Sequence, residues 1–215
     1  MAKTRPPPRL EDSPAHHSYH HGDLRRVLLD AAVKLIEADG LEAVSVRGVA
    51  KMVGVSPAAP FRHFSTRTAL LTAVAEEAMD RLVMAIDLSL QSAAHENPLM
   101  QFRAIGIGFL RWAFAYPAHF QVISTRALID FEGSAIRQRN DVIRAKMAEL
   151  MHAASAAGLL RPGDVGRHQM AARALVYGMG RMYIDGQFPS WGLNQSAALE
   201  ESVAIFDQFI ASIGA

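Results

Sequence analysis

The stretch GVSPAAPFRHF, residues 54–64, joins a glycine, a serine followed by proline, and a short basic-aromatic cluster. Just upstream, VRGVAKMV at residues 46–53 sets Val46, Val49, Ala50 and Val53 on one side of a short amphipathic helix. Gly54 supplies the left-handed residue that stops this helix. Ser56 is placed to cap a second helix, and Pro57 suits its first position, where a missing N–H costs nothing. Two short helices joined by a tight glycine turn form a helix-turn-helix, whose second member lies in the DNA major groove.

That second helix would present Pro57, Ala58 and Ala59 near its start, then Arg62 and His63, with Phe61 and Phe64 divided between backbone packing and core. Short side chains at a helix start allow close approach to base edges, and alanine methyls can meet thymine methyls. Pro60, as the fourth helical residue, deletes only the bond to the Ser56 carbonyl. The helix is therefore expected to be short and distorted at its entry.

Outward from this motif, helical periodicity continues and no segment alternates like a strand. Pro6, Pro7, Pro8 and Pro14 mark residues 1–20 as a mobile arm. Asp23 is expected to cap a helix running to about Asp39, with Leu24, Val27, Leu28, Ala31, Ala32, Leu35 and Ile36 facing a core before Gly40 ends it. Ser65 or Thr66 opens a long helix through Ala94, roughly 40 Å at 1.5 Å per residue. Such a helix leaves the first bundle and joins a second. Further helices are expected from Pro98 to a break at Pro117, from about Phe131 to Ala157, from Gly163 to about Gly186, and from Ser196 to Ile213 after the linker FPSWGLN. The expected fold is all-α, about nine helices, with an arm at 1–20, a helix-turn-helix domain at 21–68 and a helical bundle at 69–215.

With half of its 215 residues hydrophobic, the chain can bury a substantial core. Residues 1–68 hold 10 Lys+Arg against 7 Asp+Glu, and residues 69–215 hold 12 against 14. A weakly basic front on a weakly acidic body suits a protein that meets phosphate at one end. The absence of cysteine excludes disulfides, thiolate metal sites and cysteine nucleophiles. No stretch approaches a membrane span of roughly 20 apolar residues, and no apolar leader core is visible, so a cytoplasmic location away from membranes is expected.

The run from Tyr19 to Leu71 resembles the DNA-binding domain of the tetracycline-repressor (TetR) family, above all the subgroup whose recognition helix carries an AP-aromatic-RHF motif. The resemblance implies that Ser45, before the second helix, and Arg67, opening the fourth, touch phosphates. It also places Arg47, Ser56, Ala58, Ala59, Phe61, Arg62 and His63 on the DNA-contacting stretch. Two positions depart from the family pattern. Phe61 replaces the usual tyrosine, removing a hydroxyl-to-phosphate bond, and Arg67 replaces the usual lysine, keeping the charge and adding a bidentate fork.

The family's second domain binds a small effector and dimerises. Trp112-Ala113 and Pro117 occupy an aromatic-alanine pair and a helix break of such a domain, whereas Arg173 and Tyr177 stand where Trp-x-x-x-His-Gly is common. Phe109, Trp112, Phe120, Met147, Met151, Met170, Met179 and Tyr183 could line a plastic cavity or simply fill a core. Arg103, Arg111, His119, Arg173 and Arg181 are the charges of interest. A cation facing an apolar cavity is costly unless paired with an acid or matched to a ligand anion. The expected effector residues are Phe109, Trp112, His119, Met147, Met151, Arg173 and Tyr177.

On the last helix Leu199, Val203, Phe206, Ile210 and Ile213, widened by Ile205 and Phe209, form the face expected at a homodimer interface. The resulting expectation is a dimeric regulator that binds double-stranded operator DNA, released by a small-molecule effector, with no cofactor and no metal. Two alternatives remain: a metal-sensing arm using His16, His17, His20 and His21, or a helical enzyme, for which no nucleophile, Gly-rich phosphate loop or His-Glu-x-x-His pair is visible.

Overall fold

The computed structural model describes residues 21–215, and the expected arm with His16, His17 and His20 lies outside them. Among the described residues there are eight α-helices: α1 (His21–Asp39), α2 (Val46–Val53), α3 (Arg67–Ser92), α4 (Pro98–Ala115), α5 (Pro117–Ser124), α6 (Ala135–Ala156), α7 (Val165–Ile184) and α8 (Ala198–Ile213). Short 3₁₀ turns join several of them, and the β pairing is one isolated bridge between Leu160 and Gly214. The all-α expectation holds. The ninth α-helix, the one expected at 56–64, is replaced by a single 3₁₀ turn over Ala59–Arg62.

Pro60 is the reason. The Ser56 carbonyl is taken by the Ala59 N–H at 3.1 Å, a tighter i to i+3 bond, and the Pro60 carbonyl accepts from both His63 and Phe64 at 2.9 Å. With no N–H at residue 60, the α-type bond to Ser56 cannot form and the chain settles into the tighter turn. Ala58, not Ser56, precedes this turn, and no side chain caps it.

Elsewhere the boundary chemistry follows the sequence. Ser45 Oγ accepts from the Gly48 N–H, Thr66 Oγ1 from Ala69, Asn97 Oδ1 from Met100 and Asp164 Oδ1 from Arg167, all at 3.0–3.1 Å. Each satisfies a helix-start donor that has no partner within its own helix. Gly54 ends α2 at φ 76°, a conformation glycine adopts without strain. Helix α1 begins at His21, so the backbone at Asp23 is already helical. Helix α6 starts four residues later than expected because Gly133 N–H turns back onto Asp130 Oδ1 at 2.8 Å.

Helix α4 is the hub, packing against α3, α5, α6, α7 and α8. Eleven of its 18 residues are buried, from Leu99 to Ala113, and a helix apolar on all sides belongs inside. At Gly108 an added Cβ would lie 2.9 Å from the Ala85 carbonyl and the Ile86 Cα, so α3 and α4 touch backbone to backbone. At Gly106 the missing Cβ leaves room for the Phe206 ring of α8. Phe206, Ile210 and Ile213 are consequently buried in the chain's own core.

Helix α3, 26 residues and about 39 Å long, packs against α1 as well as α4, α5 and α6. The apolar core runs continuously from Leu28 to Ile213.

Candidate nucleic-acid interface and ligand cavity

The segment from Ser45 to Arg67 presents a continuous set of exposed groups. Ser45, Arg47, Ser56, Pro57, Ala58, Phe61 and Arg62 are exposed, Ala59 and His63 are half-buried, and Pro60 and Phe64 are buried. Phe61 stands 43 % exposed while Phe64 is 2 % exposed beneath it, with the Arg25 guanidinium 5.4 Å above the Phe64 ring. The two phenylalanines thus divide as the sequence suggests, one outside and one in the core. Ser45 uses its oxygen to accept the Gly48 N–H, leaving its hydroxyl hydrogen free to donate outward.

Arg67 behaves differently from expectation. Its Nε donates to the Val44 carbonyl at 2.8 Å, and one terminal nitrogen donates to the Leu41 carbonyl at 2.9 Å and to Glu42 at 3.3 Å. The side chain straps the start of α3 onto the strand of chain leading into α2. A lysine could not grip two carbonyls in this forked way.

A cavity of about 90 Å³ lies between α3, α4, α5, α6, α7 and α8. Its inner wall is aromatic: Phe109, Trp112 and Phe120 meet one another with ring centroids 5.6–5.7 Å apart. Trp112 is 1 % exposed, and its indole N–H has no partner among the described residues. Toward the surface the lining turns polar, with Ser124, Arg126, Asn140 and Arg173. Arg126, Asn140, Ile143, Met147 and Arg173 also border an outer groove between α6 and α7 of about 530 Å³. These shared residues form a throat between the groove and the cavity.

Arg173 is half-buried, and loss of water, then the positive charge of Arg126, push its pKa below the ordinary arginine value. Arg126 lies over the Phe131 ring, its guanidinium carbon 3.7 Å from the centroid. Neither arginine pairs with a carboxylate among the described residues, and the groove's acid, Asp141, is held by Arg144 at 3.2 Å.

His119 lies outside the cavity. It is 5 % exposed, with Nε2 unpartnered by any hydrogen bond and 3.7 Å from Glu77, which accepts two bonds from Arg81. Burial pushes its pKa down, and Arg81 adds to this while Glu77 and Glu37 oppose it.

Two family models match the chain: bacterial regulatory proteins of the tetR family over residues 28–74, and the tetracyclin repressor-like C-terminal domain over residues 102–206. The chain belongs to the TetR family. Among curated relatives, the nucleoid occlusion factor SlmA of Sodalis glossinidius is 30 % identical over 54 % of this chain, which spans about 57 % of that protein's length. SlmA of Pectobacterium carotovorum is 26 % identical over 76 % of this chain and 84 % of its own. Among solved structures, a protein of unknown function from Rhodococcus sp. RHA1 is similar at a TM-score of 0.73 and 28 % identity, covering 93 % of this chain and all of that one. The TetR-family regulator PfmR of Thermus thermophilus matches at 0.68 and 21 % identity over 86 % of this chain and 97 % of its own.

In this TetR-family, DNA-binding transcription regulator, five of the seven expected effector residues line the cavity: Phe109, Trp112, Met147, Arg173 and Tyr177. His119 does not, because α5 turns it toward Glu77 of α3, and Met151, fully buried one turn beyond Met147 on α6, does not. Of the other charges considered, Arg103 pairs with Asp207 of α8, Arg181 with Asp185, and Arg111 is exposed. Met170, at 69 % exposure, edges the outer groove, and Tyr183 stacks on Phe114 at 4.3 Å instead of facing the cavity. Arg126 and Asn140 escaped the sequence reading, since one sits in a connecting 3₁₀ turn and the other among the charged residues of α6. On α8, Leu199 and Val203 are half-buried, and Phe206, Ile210 and Ile213 are not available to a partner surface.

No helix among the described residues is long and apolar enough to cross a membrane, and no cluster of three metal-ligating side chains occurs among them.

Proposed function

We propose that this TetR-family regulator is a dimeric, non-enzymatic repressor whose operator affinity falls when a small molecule enters the cavity. The observation that carries the reading is the course of α3. At its first residue Arg67 grips the Val44 and Leu41 carbonyls beside the DNA-facing segment, and farther along Met79, Leu82 and Ile86 line the cavity. A ligand that shifts α3 therefore moves the reading segment with it. Helix α5 supplies a parallel route, since Phe120 and Ile123 line the cavity while the same helix packs against α1. Coupling requires only that the effector bind the two arrangements with different affinity.

On the DNA side, Ala58, Ala59 and Phe61 meet base edges and sugars, Arg47 and Arg62 meet phosphates, and Ser45 donates its hydroxyl to a phosphate. Arg67 adds long-range positive charge and holds the platform. For dimerisation the outward side of the α7–α8 pair is the favoured surface. Ala171 and Ala174 are exposed there, an added Cβ at Gly178 would meet nothing within 4 Å, and Ile205 is 38 % exposed. Small residues in open space admit a second helix closely.

Selection of bound duplexes from a random DNA pool, followed by gel shift, tests the reading. The expected product is a two-fold symmetric site, and Ala58→Leu should change which bases are selected without abolishing binding. Retention of DNA no better than for arbitrary duplexes would sink the reading.

A further inference from the structure

We propose, on the basis of the effector reading above, that the cavity takes an organic acid: a carboxylate or phosphate headgroup held at the throat by Arg126 and Arg173, with a short apolar body inside. The throat has two cations and no acid of its own to balance them. Arg173 points its charge into a half-buried site where water is scarce, and the nearby positive Arg126 makes matters worse. An unpaired cation withdrawn from water costs free energy, and natural cores seldom keep one without a use. The carboxylate that borders the groove beside them, Asp141, is committed to Arg144.

The neighbours complete an anion site. Asn140 lines the same throat and offers a neutral donor, while the Arg126 guanidinium is steadied on the Phe131 ring. Beyond the throat the wall is apolar and aromatic, with Phe102, Phe109 and Phe120. Trp112 holds its unpartnered indole N–H in the same wall. A neutral apolar ligand would fill this wall and leave both arginines unmatched. A free inorganic anion would match the arginines and leave the wall unfilled. Only an amphipathic acid uses both halves, and the outer groove between α6 and α7 gives its headgroup a place at the border with solvent.

Equilibrium dialysis of the full chain with octanoate, octyl phosphate and octanamide, three probes sharing one tail length, tests the assignment. At least one anion should bind more tightly than octanamide, and the tighter anion identifies the headgroup. Arg173→Gln should lower that anion's affinity by roughly tenfold to a hundredfold and leave octanamide unchanged, and Arg126→Gln should act in the same direction. The ligand-free Arg173→Gln protein should melt at a higher temperature than the parent, because a costly cation is gone; an arginine that merely supported the fold would give the opposite shift. Octanamide binding as tightly as both anions, or no binding of either anion in the millimolar range, overturns the proposal. Octanoate bound through Arg173 without any change in operator affinity would support the anion site and sink the release mechanism. Octanamide binding best and releasing DNA would do the reverse.

Discussion

The DNA-facing segment and the ligand throat each carry an arginine with an unusual environment, and the two are used in opposite ways. Arg67 has its donors engaged by the Val44 and Leu41 carbonyls and by Glu42. Arg173 and its neighbour Arg126 find no carboxylate among the described residues. The start of α3 is held to the chain before α2 by charge-assisted bonds from Arg67 to main-chain carbonyls. The throat keeps some of its polar capacity open. The packing differs in the same sense: around Ser45–Arg67 the turns are closed by local caps, whereas the throat is built from helices brought together over long sequence separations.

The largest test of this contrast concerns Phe206, which belongs to the ligand half. Phe206→Ala removes a ring 1 % exposed that fills the space over Gly106, and should cost about 3–5 kcal/mol in urea unfolding. The loss should be the same at low and high protein concentration. A loss that grows on dilution would mean that Phe206 serves the subunit interface after all.

Arg67→Ala comes next. Freeing two carbonyls from a charge-assisted donor should cost about 1.5–3 kcal/mol of stability, and binding to all DNA sequences should weaken together, read by thermal melting and by gel shift at two salt concentrations. Arg67→Lys separates the two roles. Restoration of DNA affinity with stability still low would assign the charge to DNA and the fork to the fold; restoration of neither would make Arg67 a strut alone.

The smallest effect should come from His119, at the border between the halves. Its folded pKa lies below the unfolded value of about 6.5, so the unfolded chain binds the additional proton first as pH falls. Stability should therefore be unaffected above about pH 7 and decline as pH falls through and below 6.5. In His119→Gln that part of the acid sensitivity, measured by melting between pH 7.5 and about 5, should disappear. A pH profile identical to the parent would show that the opposing charges of Glu77 and Glu37 cancel the effect of burial on the group.

Some of this was legible in single residues. Gly54, Thr66, Pro98 and Pro117 mark helix ends through backbone chemistry within a few positions: Gly54 ends α2, Thr66 caps α3, Pro98 opens α4 and Pro117 divides α4 from α5. The recognition segment was half legible: Pro60 announced a distortion, but whether one missing N–H bends an α-helix or converts it to a 3₁₀ turn depends on which carbonyls neighbouring donors can reach. Helical periodicity on α8 correctly marked Leu199, Val203, Phe206, Ile210 and Ile213 as one apolar stripe. It could not say what covers that stripe, because a stripe buried against α4 and one buried against a second subunit have the same period.

The sequence by itself therefore determined the all-helical course of the chain and the helix-turn-helix segment, since these depend on short-range hydrogen bonding and on side-chain spacing. The tertiary structure alone decided that Arg67 faces inward to two carbonyls, that Phe206 fills the space over Gly106, and that Arg126 joins Arg173 at the throat. Those outcomes depend on which distant backbone and which distant charge arrive at the same place, and no local pattern encodes that meeting.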